Sequence, residues 1–566
     1  MPTAAEQGCL PEPSRRPVVR RWPTWSALVG AVIGYVLAFT PSLLPRPWWL
    51  QAAACAITAV ITYGIGALVG LIVHRCGIRP EERLRRIGWL ALAGAGGAAV
   101  VFVTAWSVRW QGDLRRAVHM DPLIAWWEWV LVLPLTAVLF AVFVLVARAL
   151  RLGTRQLARL IARVVPARWA TAAAAVLAAV LVVGFVQGFL LRGLLTMVES
   201  GASATDLGTS PGIVRPELAT LSGSPASLES WDSLGSKGRD FIGKAPTAAE
   251  ITRFTGQSAK DPVRVYVGLR SAGTLQERAA LAVRELERTG AFSRRVLVVV
   301  STTGTGWVNE RIATPPEYMY GGDSALVAMQ YSYLPSWVSF LAEGEATEAG
   351  LALIDAVRTR WAQLPADARP RLLVAGESLG SYATERAFPG GVAQLVREVD
   401  GALLVGPTPD NPIRRTVTDG RDPGSAVWRP VYQDGRTVRF AQRPVDLQRP
   451  AATWEPPRVV YLQNGGDPVT WWEPSLIWRR PAWLDRPRAP DVSDVMRWYP
   501  LVTFWQVTCD LAAGESVPDG FGHRFGTLPT DAWAQIAPPA GWSAAETRRL
   551  DAYQRRVPSL GRARRQ

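Results

Sequence analysis

RLLVAGESLGSYATERAF, residues 371–388, has the clearest structural pattern in this chain. It begins with the apolar run Leu372–Ala375, which is long enough for a buried strand. The pentapeptide GESLG (376–380) follows, and then a segment that is typical of a helix. A strand, a serine between glycines and a helix predict a nucleophile elbow, in which a sharp turn lifts the Ser378 hydroxyl off the end of a sheet. The glycines allow neighbouring backbone to pass close to that turn.

The G-x-S-x-G pattern occurs a second time, as GTSPG at 208–212. That copy follows no strand-like run and has Pro211 where the helix of an elbow would begin, so we interpret it as linker. Because the chain contains 50 glycines, the pattern alone has little weight, and its context decides the interpretation of Ser378. The alternative for Ser378 is a serine that caps a helix after a strand.

The composition indicates a membrane part and a soluble part. Hydrophobic residues make up 49% of the 566 residues and charged residues only 19%, and the net charge is +15. A basic excess is compatible with nucleic acid or an anionic membrane surface, and the arginines that flank apolar runs favour the membrane. We therefore expect no nucleic-acid partner. The four cysteines are scattered, without the spacing of a disulfide framework or a zinc site, and we predict no metal and no cofactor.

Five apolar runs in the first two hundred residues are each about the length that crosses a bilayer as a helix. They lie at roughly 26–45, 50–73, 88–106, 126–147 and 169–191. The alternative, buried core helices of a soluble protein, is disfavoured because the runs contain almost no charge. The sequence therefore predicts a cytoplasmic tail over 1–24 and a transmembrane bundle of about five helices over 25–192.

The distribution of arginine predicts the orientation of this bundle. Arginines are concentrated between the second and third runs and between the fourth and fifth, which places the N-terminus in the cytoplasm by the positive-inside rule. Five crossings then put everything after about residue 192 on the extracytoplasmic side. If one run is re-entrant, the catalytic part lies in the cytoplasm instead. The runs contain no ion pair that would suggest transport.

The rest of the chain reads as a linker over 193–260 and a catalytic domain over 261–566. Strand-like runs alternate with helical patterns in that domain, and they lie at 263–269, 296–301, 372–375, 401–406 and 458–463. Such alternation predicts a mostly parallel sheet with helices on both faces. In open sheets of this type, chemistry gathers beyond the carboxyl ends of the strands.

Two further residues complete a possible catalytic triad. Asp467 lies in a tight turn directly after the 458–463 strand, although an aspartate before a proline is also common in plain turns. His523, in GFGHRFG, is the only histidine after His119, although a lone histidine is usually structural. In the predicted triad His523 takes the Ser378 proton and returns it to the leaving group, while Asp467 holds the imidazole tautomer.

An oxyanion hole requires backbone N–H groups close to the nucleophile. The first donor in our prediction is Leu379, directly after the serine. The second comes from the glycine-rich loop after the 296–301 strand, where Thr303 and Gly304 are the candidates. The alternative for this loop is an ordinary β-to-α turn.

Four stretches together resemble the actinobacterial membrane α/β-hydrolase family: GESLGSYATERAF, TTGTGWV, LQNGGDPVTWW and GHRFG. The resemblance spans nearly the whole chain. It implies an α-helical membrane bundle followed by an α/β-hydrolase-type domain, and the chain order Ser378, Asp467, His523 is the one expected for such hydrolases. The HGGG sequence of lipases is missing, which leaves the second oxyanion donor open. The resemblance supplies no substrate.

Two segments rich in Trp, Tyr, Leu and Pro, 313–341 and 471–505, are predicted cap inserts that form an apolar pocket or a lid for acyl chains. The alternative is ordinary hydrophobic packing. The expected function is a membrane-anchored serine hydrolase that cleaves an ester of a lipid or cell-envelope molecule. Membrane lipids are the expected partners, and the sequence does not indicate how many chains associate. An acyltransferase with the same triad and a catalytically silent scaffold are the alternatives; a peptidase or a transporter is disfavoured.

Overall fold

The computed structural model describes residues 23–78, 81–163, 206–333 and 343–556, together with positions 166, 169, 176 and 177. The chain divides into two compact units, which are described separately. The helical unit comprises Met1–Thr40, Pro47–Val108 and Ile124–Leu191. The sheet unit comprises Pro41–Arg46, Arg109–Leu123 and Arg192–Gln566.

The described part of the N-terminal region contains six α-helices, and the fourth extends into the part of the chain that belongs to the sheet unit. Their bounds are α1 Trp25–Ala38, α2 Trp48–Arg75, α3 Glu82–Ala91, α4 Gly97–Ala117, α5 Trp126–Val130 and α6 Val132–Ile161, with a π-helical turn, Leu92–Gly96, that joins α3 to α4. Among the described residues, three helical stretches are long and apolar enough to cross a membrane: Trp48–Arg75, Glu82–Ala117 and Trp126–Ile161. The predicted fifth run, 169–191, lies outside the described residues except for three isolated positions.

The first predicted run, 26–45, is wrong in its last part. Helix α1 ends at Ala38 and has 14 residues, so it is about 21 Å long and shorter than the roughly 30 Å of hydrocarbon in a bilayer. Pro41 and Pro45 explain the early end, because a proline moves the residue before it out of the helical region. Residues 41–46 instead form a loop that belongs to the sheet unit.

Small residues hold α1 and α2 together within the helical unit. A Cβ placed on Gly30 would lie 2.2 Å from the carbonyl oxygen of Thr62, and one on Gly66 would lie 2.2 Å from that of Ser26. The two backbones therefore touch, which is the packing that small residues permit between membrane helices.

The sheet unit is built on seven parallel strands in the order β1-β3-β2-β4-β5-β7-β6. Their bounds are β1 Val263–Val267, β2 Val296–Ser301, β3 Ser324–Met329, β4 Arg371–Glu377, β5 Gly401–Val405, β6 Val438–Ala441 and β7 Arg458–Leu462. The mostly parallel sheet predicted from the sequence is confirmed. Nearly every strand residue is buried, as expected for strands that are covered on both faces.

Helices cover both faces of the sheet. Their bounds in chain order are α7 Gly235–Gly243, α8 Ala248–Thr255, α9 Leu275–Arg288, α10 Glu310–Met319, α11 Glu343–Ala362, α12 Leu379–Arg386, α13 Gly391–Glu398, α14 Pro412–Asp419, α15 Pro468–Trp471, α16 Val502–Leu511, α17 Leu528–Ile536 and α18 Ala544–Arg556. Residues from α9, α11, α12, α13 and α14 belong to the core on one face. Residues from α7, α8, α10, α17 and α18 belong to the core on the other.

The predicted linker over 193–260 is wrong for the residues that the structure describes. From residue 206 this segment packs on the sheet, and it contains α7 and α8. Leu234, Phe241 and Ile251 are buried in the core with strand residues. The Ser-, Gly- and Pro-rich composition suggested a linker because the segment contains only a few apolar residues. These residues are nevertheless buried in the core, and the segment also forms backbone hydrogen bonds with β1.

The first predicted cap insert, 313–341, is also wrong over most of its described part. Residues up to Met319 belong to α10, and Ser324–Met329 form the buried strand β3, between β1 and β2. Residues 334–342 lie outside the described range. The second predicted insert, 471–505, is an irregular excursion after β7 with short 3-10 turns at Pro474–Ile477 and Ala482–Leu484.

The order of the strands marks one position at the sheet edge. The chain leaves β2 toward β3 on one side and leaves β4 toward β5 on the other, although β2 and β4 are neighbours. The loops after these two strands therefore lead in opposite directions, and ligands bind at such a switch point in open α/β sheets.

Candidate active site

Ser378 lies in a strained turn at this switch point. It follows β4, precedes α12 and has φ 56° and ψ −120°, which is unusual for a residue other than glycine. Its backbone N–H donates to the carbonyl oxygen of Val405 at 2.8 Å, which fixes the turn to the neighbouring strand β5. Strain of this kind persists only where the surrounding structure enforces it, and it is concentrated at functional sites.

The two glycines of the motif have separate steric reasons. A Cβ on Gly376 would lie 2.2 Å from the carbonyl oxygen of Gly380, so the turn itself could not close. A Cβ on Gly380 would lie 2.2 Å from the carbonyl oxygen of Ser301, at the end of β2. Because Gly380 has no side chain, α12 can approach the end of β2.

Asp467 and His523 form a hydrogen-bonded pair. His523 Nδ1 lies 2.8 Å from Asp467 Oδ2, and the Asp467 carboxylate is fully buried. The same carboxylate accepts the backbone N–H of Val469 at 2.9 Å and the hydroxyl of Thr470 at 3.0 Å. Three donors thus fix its orientation, which in turn fixes the position of the imidazole.

The residues before Asp467 hold its turn in place. The N–H of Gly466 donates to Asp491 Oδ2 at 2.8 Å, and a Cβ on Gly465 would lie 1.9 Å from the Cβ of Ala489. Asn464 donates from its amide to the carbonyl oxygen of Gly522 at 2.8 Å. The turn that carries the acid is therefore bonded directly to the turn that carries His523.

The His523 ring lies against the end of β5, close to the serine turn. A Cβ on Gly406 would lie 2.5 Å from His523 Cε1, and Gly406 directly follows the Val405 carbonyl that accepts the Ser378 N–H. Among the described residues no hydrogen bond joins the Ser378 hydroxyl to the imidazole. In an unliganded site this contact is often long and tightens when substrate binds.

The charge environment of His523 favours the imidazolium. Burial alone lowers the pKa of His523, but the adjacent Asp467 carboxylate, with smaller contributions from Glu377 and Glu515, raises it to about 9. A histidine with this pKa is mostly protonated at neutral pH. Only the neutral ring can take a proton from a hydroxyl, and the neutral fraction of His523 increases as the pH rises toward 9.

Glu377, inside the G-x-S-x-G motif, is a buried carboxylate that sequence reasoning did not assign. It accepts a hydrogen bond from Asn309 Nδ2 at 2.9 Å, and Asn309 Oδ1 accepts the N–H of Arg311 at the start of α10. Burial raises the pKa of Glu377 above its usual range. Asn309 therefore ties the loop after β2 to the serine turn. An asparagine directly before a helix was the one available signal.

The predicted oxyanion donors have different positions. Leu379 is the first residue of α12 and directly follows Ser378, so its N–H has no acceptor within the helix. The N–H of Thr303 donates to the carbonyl oxygen of Trp307 at 3.2 Å, within its own loop. Gly304 is the next residue of that loop, which follows the strand β2 next to β4. Leu379 thus has the geometry of a donor, whereas Thr303 would first have to give up its loop bond.

Two further observations concern metal ligands and cavities. Among the described residues no group of three or more His, Cys, Asp or Glu side chains is arranged to hold a metal ion. A cavity of about 320 Å³ lies beside β6, where Trp428, Arg429 and Phe440 contribute to its lining, and no predicted site residue does.

Comparison with known proteins agrees with this architecture. Residues 263–550 match a family described as the alpha/beta-hydrolase family, and residues 39–246 match the N-terminus of an alpha/beta-hydrolase family. No curated protein and no solved structure matches the chain.

Proposed function

Because the chain belongs to the α/β-hydrolase family, we propose that it is a membrane-anchored serine hydrolase that forms an acyl-enzyme on Ser378. His523 accepts the Ser378 proton and later donates it to the leaving group. Asp467 keeps the proton of the neutral ring on Nδ1 and stabilises the imidazolium. The Leu379 N–H stabilises the oxyanion of the tetrahedral intermediate, together with Gly304 or Thr303.

The observation that carries this proposal is the Asp467–His523 hydrogen bond of 2.8 Å at the same sheet edge as the strained Ser378 turn. A lone structural histidine has no need of a fully buried carboxylate that is itself held by two other donors. The arrangement supports general-base activation of a hydroxyl, the step that all serine hydrolases share.

The proposed substrate is an ester of a lipid or of a cell-envelope molecule. Three helical stretches long enough to span a bilayer support a location at the membrane. The 471–505 excursion follows the acid turn and exposes apolar side chains such as Trp478 and Val495, which suit an apolar substrate. Acyl transfer to an alcohol uses the same acyl-enzyme and is distinguished by its product.

We further propose that the catalytic domain lies on the extracytoplasmic side. Residues 41–46 and 109–123 belong to the sheet unit; the first segment precedes α2, and the second contains the end of α4 and precedes α5. With three crossings, α6 ends on the opposite side, and the fifth apolar run predicted from the sequence at 169–191 would return the chain to the first side. The opposite side carries the arginine-rich connections and is cytoplasmic by the positive-inside rule.

Hydrolysis of acyl esters by the purified full chain in nanodiscs tests the proposal. The wild type should release free acid from short- and long-chain 4-nitrophenyl esters, and Ser378→Ala should remove this activity. Ser210→Ala, in the second G-x-S-x-G match, is the matched control and should retain it. Appearance of a new ester when an alcohol is added would identify acyl transfer. Equal activity in wild type and Ser378→Ala would refute the proposed nucleophile.

A further inference from the structure

The short connection between α1 and α2, residues 41–46, belongs to the sheet unit and is buried. Ser42, Leu43 and Leu44 are at most 1% exposed, and Arg46 is 5% exposed. All contacts described below lie inside that unit. Connections between helices normally run over the surface, so nearly complete burial of a six-residue loop requires a reason.

We propose that this 41–46 loop positions the Asp467–His523 pair, and that Arg46 is a positioning residue for the reaction. The inference rests on the proposed function, because it concerns the same site. It assigns to the N-terminal region a direct part in catalysis, in addition to anchoring.

A buried ion pair fastens the loop. Arg46 Nε donates to Asp510 Oδ1 at 2.6 Å, and the two side chains are 1% and 0% exposed. The other oxygen of Asp510 accepts the backbone N–H of Leu43 at 3.1 Å. The Arg46 guanidinium also donates to the carbonyl oxygen of Gln506 at 3.1 Å, one turn earlier in α16. A buried charge is strongly unfavourable without its partner, so loop and helix are held together.

The 41–46 loop lies close to the turn that carries Asp467 and to the turn that carries His523. The carbonyl oxygen of Leu43 lies 3.5 Å from a Cβ placed on Gly466, and Gly466 precedes Asp467. Leu44 Cδ1 lies 3.3 Å from a Cβ placed on Gly522, and Gly522 precedes His523. The loop therefore packs beside both turns, the one that carries Asp467 and the one that carries His523.

Loss of the anchor should affect the reaction more than substrate binding. When the loop loosens, the imidazole loses its fixed position, and a displacement of about 1 Å lowers the rate by roughly a hundredfold. The groups that face His523 with charge are Asp467, Glu377 and Glu515. Of these only Asp467 lies in a turn that the loop touches, so a loosened loop weakens the stabilisation of the imidazolium by Asp467.

The test compares four full-length variants in nanodiscs by kcat, KM and the pH profile of ester hydrolysis. Arg46→Ala should lower kcat roughly tenfold to a hundredfold with little change in KM, and it should move the rising limb of the profile to lower pH. Arg46→Lys should recover part of kcat, because it restores the charge opposite Asp510. Leu44→Ala, which leaves the ion pair intact, should lower kcat in the same direction.

Arg116→Ala is the matched control. Arg116 pairs with Asp113 in the other connection that belongs to the sheet unit, but both side chains are more than half exposed. This variant should keep wild-type kinetics. If Arg46→Ala does not fold, kcat, KM and the pH profile of Leu44→Ala and Arg46→Lys test the inference instead. Wild-type kcat and pH profile in the folded variants would overturn the inference, whereas an inactive wild type would overturn the proposed function instead.

Discussion

At the scale of single residues, the site depends on a few atoms that leave no room for substitution. Gly376 and Gly380 are required because any side chain would collide with backbone oxygens. The strained Ser378 turn is held by one hydrogen bond to β5, and the acid by three donors. The consequences can be tested one residue at a time.

The pH dependence follows from the raised pKa of His523. Because that pKa is about 9 and the neutral ring is the base, kcat/KM should rise with pH and level off above about 9. Glu377→Gln should move this limb to lower pH by up to about one unit, because a neutral amide does not stabilise the imidazolium. Ester hydrolysis between pH 6 and 10 provides the measurement. Glu287→Gln, a half-exposed control on α9, should leave the profile unchanged; a plateau already at pH 7 in the wild type would contradict the assignment.

The glycine at 380 provides a steric test. Gly380→Ala places a methyl group 2.2 Å from the Ser301 carbonyl oxygen, so α12 must move away from β2. We expect lower thermal stability and loss of hydrolysis. Gly344→Ala, on α11 with open space around it, is the control and should retain activity, with a stability that is unchanged or higher by up to about 1 kcal/mol. Full activity of a folded Gly380→Ala would show that the turn does not need this contact.

At the scale of elements, the sequence was sufficient to predict a strand wherever that strand is an uninterrupted apolar run. This holds for β1, β2, β4, β5 and β7, all of which were predicted. Strand β6 was missed because Arg439 interrupts its pattern, although its guanidinium is buried on the Trp454 ring and donates to backbone carbonyls. Strand β3 was missed because it lies inside a Tyr- and Gly-rich segment that was read as an insert.

The same scale explains what the sequence could and could not predict of the site. Ser378 and Asp467 each follow a strand-like run, so the local pattern identifies them as candidates. His523 is identified by elimination, because it is the only histidine after His119. The residues that hold these candidates in place by hydrogen bonds are ordinary polar residues: Thr470, Asn309 and Asp491. Asn309 and Asp491 bond to residues far away in the chain, and Thr470 bonds within a turn. No local pattern distinguishes such residues, and only the fold reveals them.

A buried ion pair joins α10 to β1 and tests the packing of these elements. Arg264 donates to both carboxylate oxygens of Glu317 at 2.7 Å, and neither side chain is exposed. Glu317→Ala should lower the free energy of unfolding by about 3 kcal/mol, at the lower end for a broken buried pair because Glu310 remains 3.3 Å from Arg264. Lys260→Ala removes an exposed ion pair with Asp323 and should cost less than about 1 kcal/mol. Thermal and denaturant unfolding compare the two variants, and equal losses would contradict this reading.

At the scale of the whole molecule, the chain alternates between its two units. Two short segments of the N-terminal region, 41–46 and 109–123, belong to the sheet unit, so the two units are interleaved along the sequence. The sequence predicted an α-helical region followed by an α/β-hydrolase-type domain, and that fold is confirmed. It could not predict the interleaving, because the residues of 41–46 read as the end of an apolar helix.

The topology can be tested with single cysteines in a background without the four native ones. Val214→Cys and Leu123→Cys are exposed positions of the sheet unit and should react with an impermeant thiol reagent in intact cells. Ile78→Cys, exposed in the connection after α2, should react only after permeabilisation. The opposite pattern would place the hydrolase domain in the cytoplasm.

The most direct measurement is the site of covalent modification by a fluorophosphonate. This reagent phosphonylates an activated serine and requires neither the natural substrate nor its acceptor. Mass spectrometry of the labelled full chain should find one adduct, on Ser378, with labelling at least about a hundredfold slower in His523→Ala and unaffected in Ser210→Ala. A folded protein that carries no adduct, or carries it on another serine, would contradict the catalytic role of this sheet edge.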